Sequence, residues 1–459
     1  MLKAIKFLLW TYLALLIFEG ALRKWVFPGA ADALLIIRDP VVILIYLLAI
    51  FGRVFPINGF VIAAGVLTVA SVAASFITGQ HNLVVMAYGL RINYLHLPLI
   101  WVMAEVLDVR DVRRYGIFIL LIAIPMALLM VEQFRSPINA RINQGVGGTE
   151  GGQIFGADGK IRPPGFFSFI TGPQLFLPLA AAFFFYQAGT KRQLPWLVLL
   201  GTGVAIAVSL PVSISRTAVL ATGLVGATFA FTLLFGSKRA GTLLRTGLIF
   251  GVLLVGLSFL PIFSEGREAF LSRWQTAASS NQGDAVQNIS DRVFGGFLQP
   301  FYTMKNARLF GAGIGVGSNV GARLLSGGVG FLLAEDEWSK IFLELGPILG
   351  LAFIGFRIVL TGYLAIVSLR ALLVQRESLP ILLFAAAGVA VFEYQWGPPT
   401  ILGFAVFGAG MILAALKPAP LDEPTAEEPE LRPEATPLPP SVPPANAHRP
   451  PALAKLFAP

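Results

Sequence analysis

Long apolar runs separated by short polar breaks recur along most of this chain. A helix needs about 20 mainly apolar residues to cross the hydrocarbon core of a bilayer. Runs of that kind fall near residues 5–22, 33–51, 57–77, 83–107, 115–134, 167–188, 194–211, 217–235, 243–263, 341–367, 379–396 and 400–416. They are rich in Leu, Ala, Val and Phe and lack the in–out alternation of a transmembrane β-barrel. The pattern predicts an all-α polytopic membrane protein of about 12 transmembrane helices. Only Met1 to Ala4 precede the first run and no small-residue cleavage site follows it, so a retained helix is expected. Two long connections interrupt the pattern, at 135–166 after the fifth run and 264–340 between the ninth and the tenth. The first is Gly-rich and reads as an irregular loop. In the second, Val293, Phe294, Phe297, Phe301 and Met304 recur at helical spacing, as in a helix lying on the membrane surface.

Composition then fixes the solvent. Of 459 residues 56% are hydrophobic and only 13% charged, with a mean hydropathy of +0.76. Ordinary soluble domains carry about 25% charged residues. A cytosolic enzyme, a secreted disulfide scaffold and a disordered hub are thereby excluded, and the partner of most of the chain is the lipid bilayer. The absence of cysteine removes disulfides, Cys-ligated zinc and iron–sulfur clusters. His81, His96 and His448 are too scattered for a metal site, so no metal is expected. Residues 417–459 differ in kind: 13 of the 31 prolines, no glycine, and six acidic against four basic residues. That composition cannot bury a core and reads as a disordered cytoplasmic tail beside a membrane domain spanning 1–416.

Basic residues in the short loops set orientation. Arg53, Arg110, Arg113, Arg114, Lys191, Arg192, Lys238, Arg239, Arg245, Arg370 and Arg376 fall on one side, and with Lys3, Lys6 and Lys417 they place both termini in the cytoplasm. The membrane part is more basic than the whole chain, because the tail subtracts two from the formal charge of +9. Much of that excess lies where orientation does not call for it. Glu19, Arg23 and Lys24 follow the first run, Arg38 and Asp39 open the second, and Arg216 opens the eighth after Pro211-Val-Ser-Ile-Ser. Arg91 sits some eight residues into the fourth run, about 12 Å down a helix from the outer side. An outward-facing anion site explains the group, since guanidinium forks suit phosphate. The competing reading of Arg91 is a snorkelling side chain or an ion pair within the bundle, and of the others, contact with lipid head groups.

The large loop adds Arg267, Arg273, Arg292, Lys305, Arg308 and Arg323, and ends in Glu335-Asp-Glu337. These carboxylates suit sugar hydroxyls or a general base, or else cap a helix start, with Lys340 near enough to pair. Glu344 lies inside the tenth run. Gly311-Ala-Gly-Ile-Gly-Val-Gly317 is a poor phosphate loop: no strand precedes it and no Gly-Lys-Ser/Thr occurs. With no soluble domain for ATP, any chemistry runs on an already activated substrate.

Several of these stretches are similar to motifs of the bacterial O-antigen ligase/polymerase superfamily, the C-type membrane glycosyltransferases. Ser213-Ile-Ser-Arg216 looks like its Ser-x-Ser-Arg, and Asp291-Arg292 like the arginine opening the core helix of its large periplasmic loop. Leu309 to Gly317 resembles its Gly-x-Gly stretch, and Glu335 to Leu351 its closing motif around Glu-Leu-Gly. Phe18-Glu-Gly-Ala-Leu-Arg-Lys-Trp25 is similar to an N-terminal signature of a subset. The resemblance covers most of 5–416. It implies transfer or polymerisation of glycan from a polyprenyl diphosphate-linked donor to a glycan or lipid-glycan acceptor, with inversion, on the outer face of the cytoplasmic membrane. No cofactor, metal or nucleic acid takes part. Arg216 and Arg292 carry over by motif as catalytic residues, and Glu335 occupies the family's histidine position. Arg91, Arg38 and Arg23 join them as diphosphate ligands by the topology above, so Arg91, Arg216 and Arg292 are expected to line one outward cavity. The departure at Glu335 leaves polymerase and ligase both open. A transporter or flippase for a lipid-linked oligosaccharide or another anion is the alternative from a different class, and a scaffold recruiting through the Pro-rich tail is a third.

Overall fold

The computed structural model describes residues 1–149, 160–190, 194–234, 264–268, 271–272, 299–328, 330 and 332–418. Three expectations from the sequence, the ninth run at 243–263, the surface helix at Val293, Phe294 and Phe297, and the Pro-rich tail beyond 418, lie outside them. Among the described residues the protein is helical and carries no β-strand.

The helices are α1 (Leu2–Ala21), the single turn α2 (Ala31–Leu34), α3 (Arg38–Phe51), α4 (Gly59–Ile77), α5 (Leu83–Leu90), α6 (Leu99–Val106), α7 (Val109–Arg135), α8 (Thr171–Gly189), α9 (Trp196–Val212), α10 (Arg216–Leu234), α11 (Asn319–Ser326), α12 (Glu337–Arg370), α13 (Leu379–Phe392) and α14 (Pro399–Ala414). Among the described residues seven helical segments, counted across local breaks, are long and apolar enough to cross a membrane: Leu2–Val26, Pro28–Phe51, Gly59–Ile77, Leu83–Val106, Val109–Arg135, Arg216–Leu233 and Glu337–Gln375. Three shorter apolar helices, α9, α13 and α14, accompany them.

Two kinds of helix surface separate the core from the periphery. In α14 every side chain from Ile401 to Ala414 is buried, and α8 is buried on nearly all sides. A helix apolar all round belongs inside a bundle. Small residues let these helices close up: a Cβ placed on Gly408 of α14 would lie 2.5 Å from Cβ of Ala387 in α13. Around this centre α14 packs on α13, α6 and α8, while α12 packs on α13 and α4. On the periphery, α4 buries Ala64, Leu67, Ser71, Ala74 and Ser75 and exposes Ile62, Val66 and Val69. An apolar stripe of that sort fits contact with a membrane.

Two apolar runs that read as continuous helices are broken. The fourth run becomes α5, a π-helical turn Arg91–Leu95, and α6, with Pro98 at the start of α6. The tenth becomes α12 interrupted at Gly346, whose φ of 78° and ψ of 175° turn the chain out of the helix ahead of Pro347. Proline has no N–H for the carbonyl four residues back. That carbonyl is Leu343, and it accepts instead from the Ala312 N–H at 2.8 Å, while Gly313 N–H donates to Glu344 O at 3.0 Å. The Gly-rich stretch 311–317 therefore supplies main-chain donors to a broken helix. It is wedged tightly there: a Cβ on Gly315 would meet Val85 O of α5 at 2.1 Å, and one on Gly311 would meet Glu344 O at 2.2 Å.

Candidate functional site

The two ends of the bundle carry different chemistry. At one end Lys6 pairs with Asp111 at 2.5 Å and Lys417 with Glu105 at 3.5 Å. At the other, where α1 ends and α3 begins, stand the charges that the sequence reading expected on the outer side. Both local helix distortions that carry them are π-helical turns, Leu22–Val26 with Arg23 and Lys24, and Arg91–Leu95. A π turn adds a residue and re-aims side chains, and such turns gather at functional sites.

These cations are not presented singly to an open site. Glu19 accepts from Arg23 Nη1 at 3.2 Å, and its other oxygen lies 3.4 Å from Arg38 Nε. Arg23 also donates to Ala31 O at 2.8 Å and to Ser168 Oγ at 3.3 Å. Arg38, 2% exposed, donates to Pro399 O at 2.5 Å and to Tyr12 Oη at 3.3 Å. Room for its guanidinium exists because position 403 of α14 is glycine, where a Cβ would lie 2.1 Å from Arg38 Nη1. Tyr12 Oη lies 3.1 Å from His96 Nδ1, and His96 Nε2 lies 3.0 Å from Asp39 Oδ1. Asp39 accepts from Arg91 Nε through its other oxygen, and Arg91 Nη2 donates to Leu35 O at 3.1 Å. An ionised Asp39 only accepts, so the chain of bonds runs with Tyr12 donating to Nδ1 and Nε2–H donating to Asp39. Three arginines and two carboxylates leave this network one net positive charge. For Arg91 the ion pair within the bundle is thus what the structure shows, with Asp39 as the partner and Tyr88 under the guanidinium.

Lys24 has no side-chain exposure and donates to Gly165 O at 2.8 Å, with its Nζ 4.2 Å from the Trp25 ring. Gln133 holds the same glycine, accepting from Gly165 N at 2.9 Å. The signature Phe18–Trp25 thereby ties the end of α1 to the segment preceding α8.

A cavity of about 570 Å³ opens at this end. Its wall combines Glu19 and Arg23 with Tyr88, Ser168 and Thr171, the stretch Ser318 to Arg323 at the start of α11, and Pro398 to Thr400. The arrangement offers cations, hydroxyls and apolar surface in one concavity, the composition of a pocket for an anionic, hydroxyl-bearing molecule.

The sequence-selected residues part company here. Arg23 lines the cavity, with Arg38 bonded behind it through Glu19, and Arg91 behind Tyr88. Arg216 opens α10, half-buried, and does not line the cavity; its neighbour Ser215 accepts from Gln174 at 3.0 Å, one turn beyond Thr171. Arg292 lies outside the described residues. Glu335 is exposed, does not line the cavity, and its carbonyl accepts from Gln395.

Next to Glu335 the structure shows the helix-start reading of the acids and the pairing with Lys340, and adds Arg357, which the sequence reading did not include. Asp336 caps α12, accepting from Ser339 N at 2.8 Å. Glu337 is fully buried between Lys340 at 2.7 Å and Arg357 at 3.0 Å, and the Arg357 guanidinium lies 4.1 Å from the Trp396 ring centre. Arg357 had a legible signal, a basic residue in the interior of the tenth apolar run. Glu344, also buried, accepts from Gly317 N at 2.7 Å and holds the Gly-rich stretch. The structure ends α13 at Phe392, earlier than the apolar run 379–396, and past that end burial pushes the Glu393 carboxyl above its ordinary value against the pull of Arg357, and pushes Tyr394 up to about 12. Among the described residues no group of three His, Asp or Glu is placed to hold a metal ion.

No known protein-family profile matches the chain, and no curated protein matches it either.

Proposed function

We propose that the protein is a membrane glycosyltransferase that transfers or polymerises glycan units from a polyprenyl diphosphate-linked donor on the outer face of the cytoplasmic membrane. In this reading about 12 helices span the bilayer, both termini are cytoplasmic, and residues 264–340 form an extracytoplasmic loop. The observation that carries it is the cavity walled by Arg23, Glu19 and the start of α11, at the end of the bundle away from Lys6, Asp111 and Lys417. Arginines there stabilise charge developing on a departing diphosphate, an electrostatic form of catalysis. Glycan hydroxyls find Ser168, Thr171 and Glu19 in the same wall. Arg216 and Arg292 are assigned to the reacting end of the donor, and Glu335 to the acceptor proton, on the family resemblance.

One observation favours the transporter alternative: the discontinuous fourth and tenth helices, a device of secondary transporters. The test separates the two. Arg23→Ala, Arg216→Ala, Arg292→Ala and Glu335→Gln are made singly in the native host, and surface polysaccharide is examined by gel alongside protein level. The glycosyltransferase reading expects shortened or missing glycan with lipid-linked units accumulating on the outer leaflet. Unchanged glycan at normal protein levels overturns it, and accumulation on the inner leaflet replaces it with the flippase.

A further inference from the structure

Of the cations at the cavity end, three are already engaged by hydrogen bonds inside the bundle. Arg23 bonds Ala31, Glu19 and Ser168, Arg38 bonds Pro399 and Tyr12, and Arg91 bonds Asp39 and Leu35. Arg38 and Arg91 are also buried behind the wall. Arg323 differs. It lines the cavity, yet its side chain is 72% exposed, and among the described residues its partner is Asp32 of α2, 84% exposed, at 3.8 Å. That separation is too long for a hydrogen bond, and an exposed ion pair of this kind is worth little. Its planar fork therefore remains available for a phosphate, for which guanidinium gives two parallel donors.

We propose that Arg323 is a further anion-binding residue of this cavity, held in reserve by Asp32 and passed to the phosphate of the ligand when the cavity fills. The inference rests on reading the cavity as a phosphate-ligand site and adds the loop's own contribution to it. Asp32 then acts as a weak internal competitor. The net charge of the buried arginine–carboxylate network is only +1, and Arg323, once released by Asp32, brings a second cation to the cavity wall. Exposure makes both positions tolerant of substitution, and neither belongs to the packed interior.

The test uses the full chain purified in detergent, with a short-chain prenyl diphosphate as the probe in a calorimetric or thermal-shift titration. Arg323→Gln is expected to weaken binding about tenfold, the equivalent of one charge-assisted pair. Arg323→Lys keeps the charge without the fork and falls between. Asp32→Asn is expected to tighten binding several-fold, and to lose that gain in the Arg323→Gln background. Binding unaltered by Arg323→Gln, or a gain from Asp32→Asn that survives without Arg323, overturns the proposal. Inorganic pyrophosphate and phosphatidylglycerol nanodiscs, each tested as competitor, identify the source of the phosphate. Competition by pyrophosphate alone supports both Arg323 and the lipid-linked donor. Equal competition by phosphatidylglycerol, with the same Arg323 dependence, supports Arg323 while overturning the glycosyltransferase assignment of the cavity.

Discussion

Replacing Glu337 by glutamine removes the one negative charge held between Lys340 and Arg357, at 2.7 and 3.0 Å, in a site where all three side chains are essentially unexposed. At an effective dielectric near 20, a unit pair 3 Å apart is worth about 5 kcal/mol of attraction before desolvation. Glutamine keeps the shape and still accepts from one neighbour, but two buried cations lose their nearest counter-charge and keep only the more distant Glu344 and Glu393. Breaking a buried pair in this way costs about 3–5 kcal/mol. For a bundle of this size that corresponds to an apparent unfolding temperature lowered by roughly 3–6 °C. The assay is thermal unfolding of the detergent-solubilised protein, followed by intrinsic fluorescence and by the fraction surviving size exclusion. Glu335→Gln, two residues earlier on exposed chain, is the control and is expected to leave the temperature unchanged. Lys340→Met added to Glu337→Gln removes one of the stranded cations and recovers part of the loss. A shift below about 2 °C for Glu337→Gln, or equal shifts for both glutamates, refutes the reasoning that Glu337 is the structural acid of this cluster.

Gly346→Ala is expected to destabilise by several kcal/mol, since its φ is 78° and a Cβ would sit 2.2 Å from Leu309 O, whereas Gly355→Ala on the same helix, with open space around it, is near neutral; parallel thermal scans decide. Asp39→Asn strands Arg91 and loses the charged partner of His96, and is expected to lower stability by about 3 kcal/mol, read by the same scans. The raised Glu393 carboxyl means that the folded state holds its proton more tightly than the unfolded chain, so stability falls as pH rises through the carboxylate range. Glu393→Gln should match wild type near pH 4 and exceed it near pH 7; no pH dependence of the difference refutes this. Because the chain has no cysteine, single cysteines report orientation directly: Asp32→Cys is expected to react with an impermeant maleimide in intact cells, and Arg114→Cys only after permeabilisation.

The apolar runs announced their helices well, because hydrocarbon imposes a length that sequence cannot hide. Residues 57–77 became Gly59–Ile77 and 217–235 became Arg216–Leu234. Breaks were harder to see. Pro98 and Gly346–Pro347 each sit in runs whose hydropathy continues unbroken, and only the N–H that Ala312 donates to Leu343 O makes the second break tolerable. At the site, the sequence marked Arg23, Arg38 and Arg91 as costly charges in lipid. Their neutralisers were visible as letters, yet the pairing of Asp39 with Arg91 spans 52 positions and that of Arg38 with Pro399 spans 361. Such partners are set by packing, which a single sequence does not display. Arg357 shows the opposite failure, a local signal overlooked within an apolar run.

The docking of the Gly-rich stretch also bears on the order in which the chain assembles. Ile314 N donates to Ser75 of α4, 239 positions earlier, while Ala312 and Gly313 serve carbonyls of a helix synthesised after them. The stretch is held on one side only, by α4 and α5, until α12 is in place, and α12 cannot satisfy its own break until the stretch arrives. Maturation of this face is therefore a late, mutually dependent event with high contact order. A nascent chain stopped before residue 337 would hold its N-terminal helices yet leave that face unfinished, exposed to quality-control proteolysis.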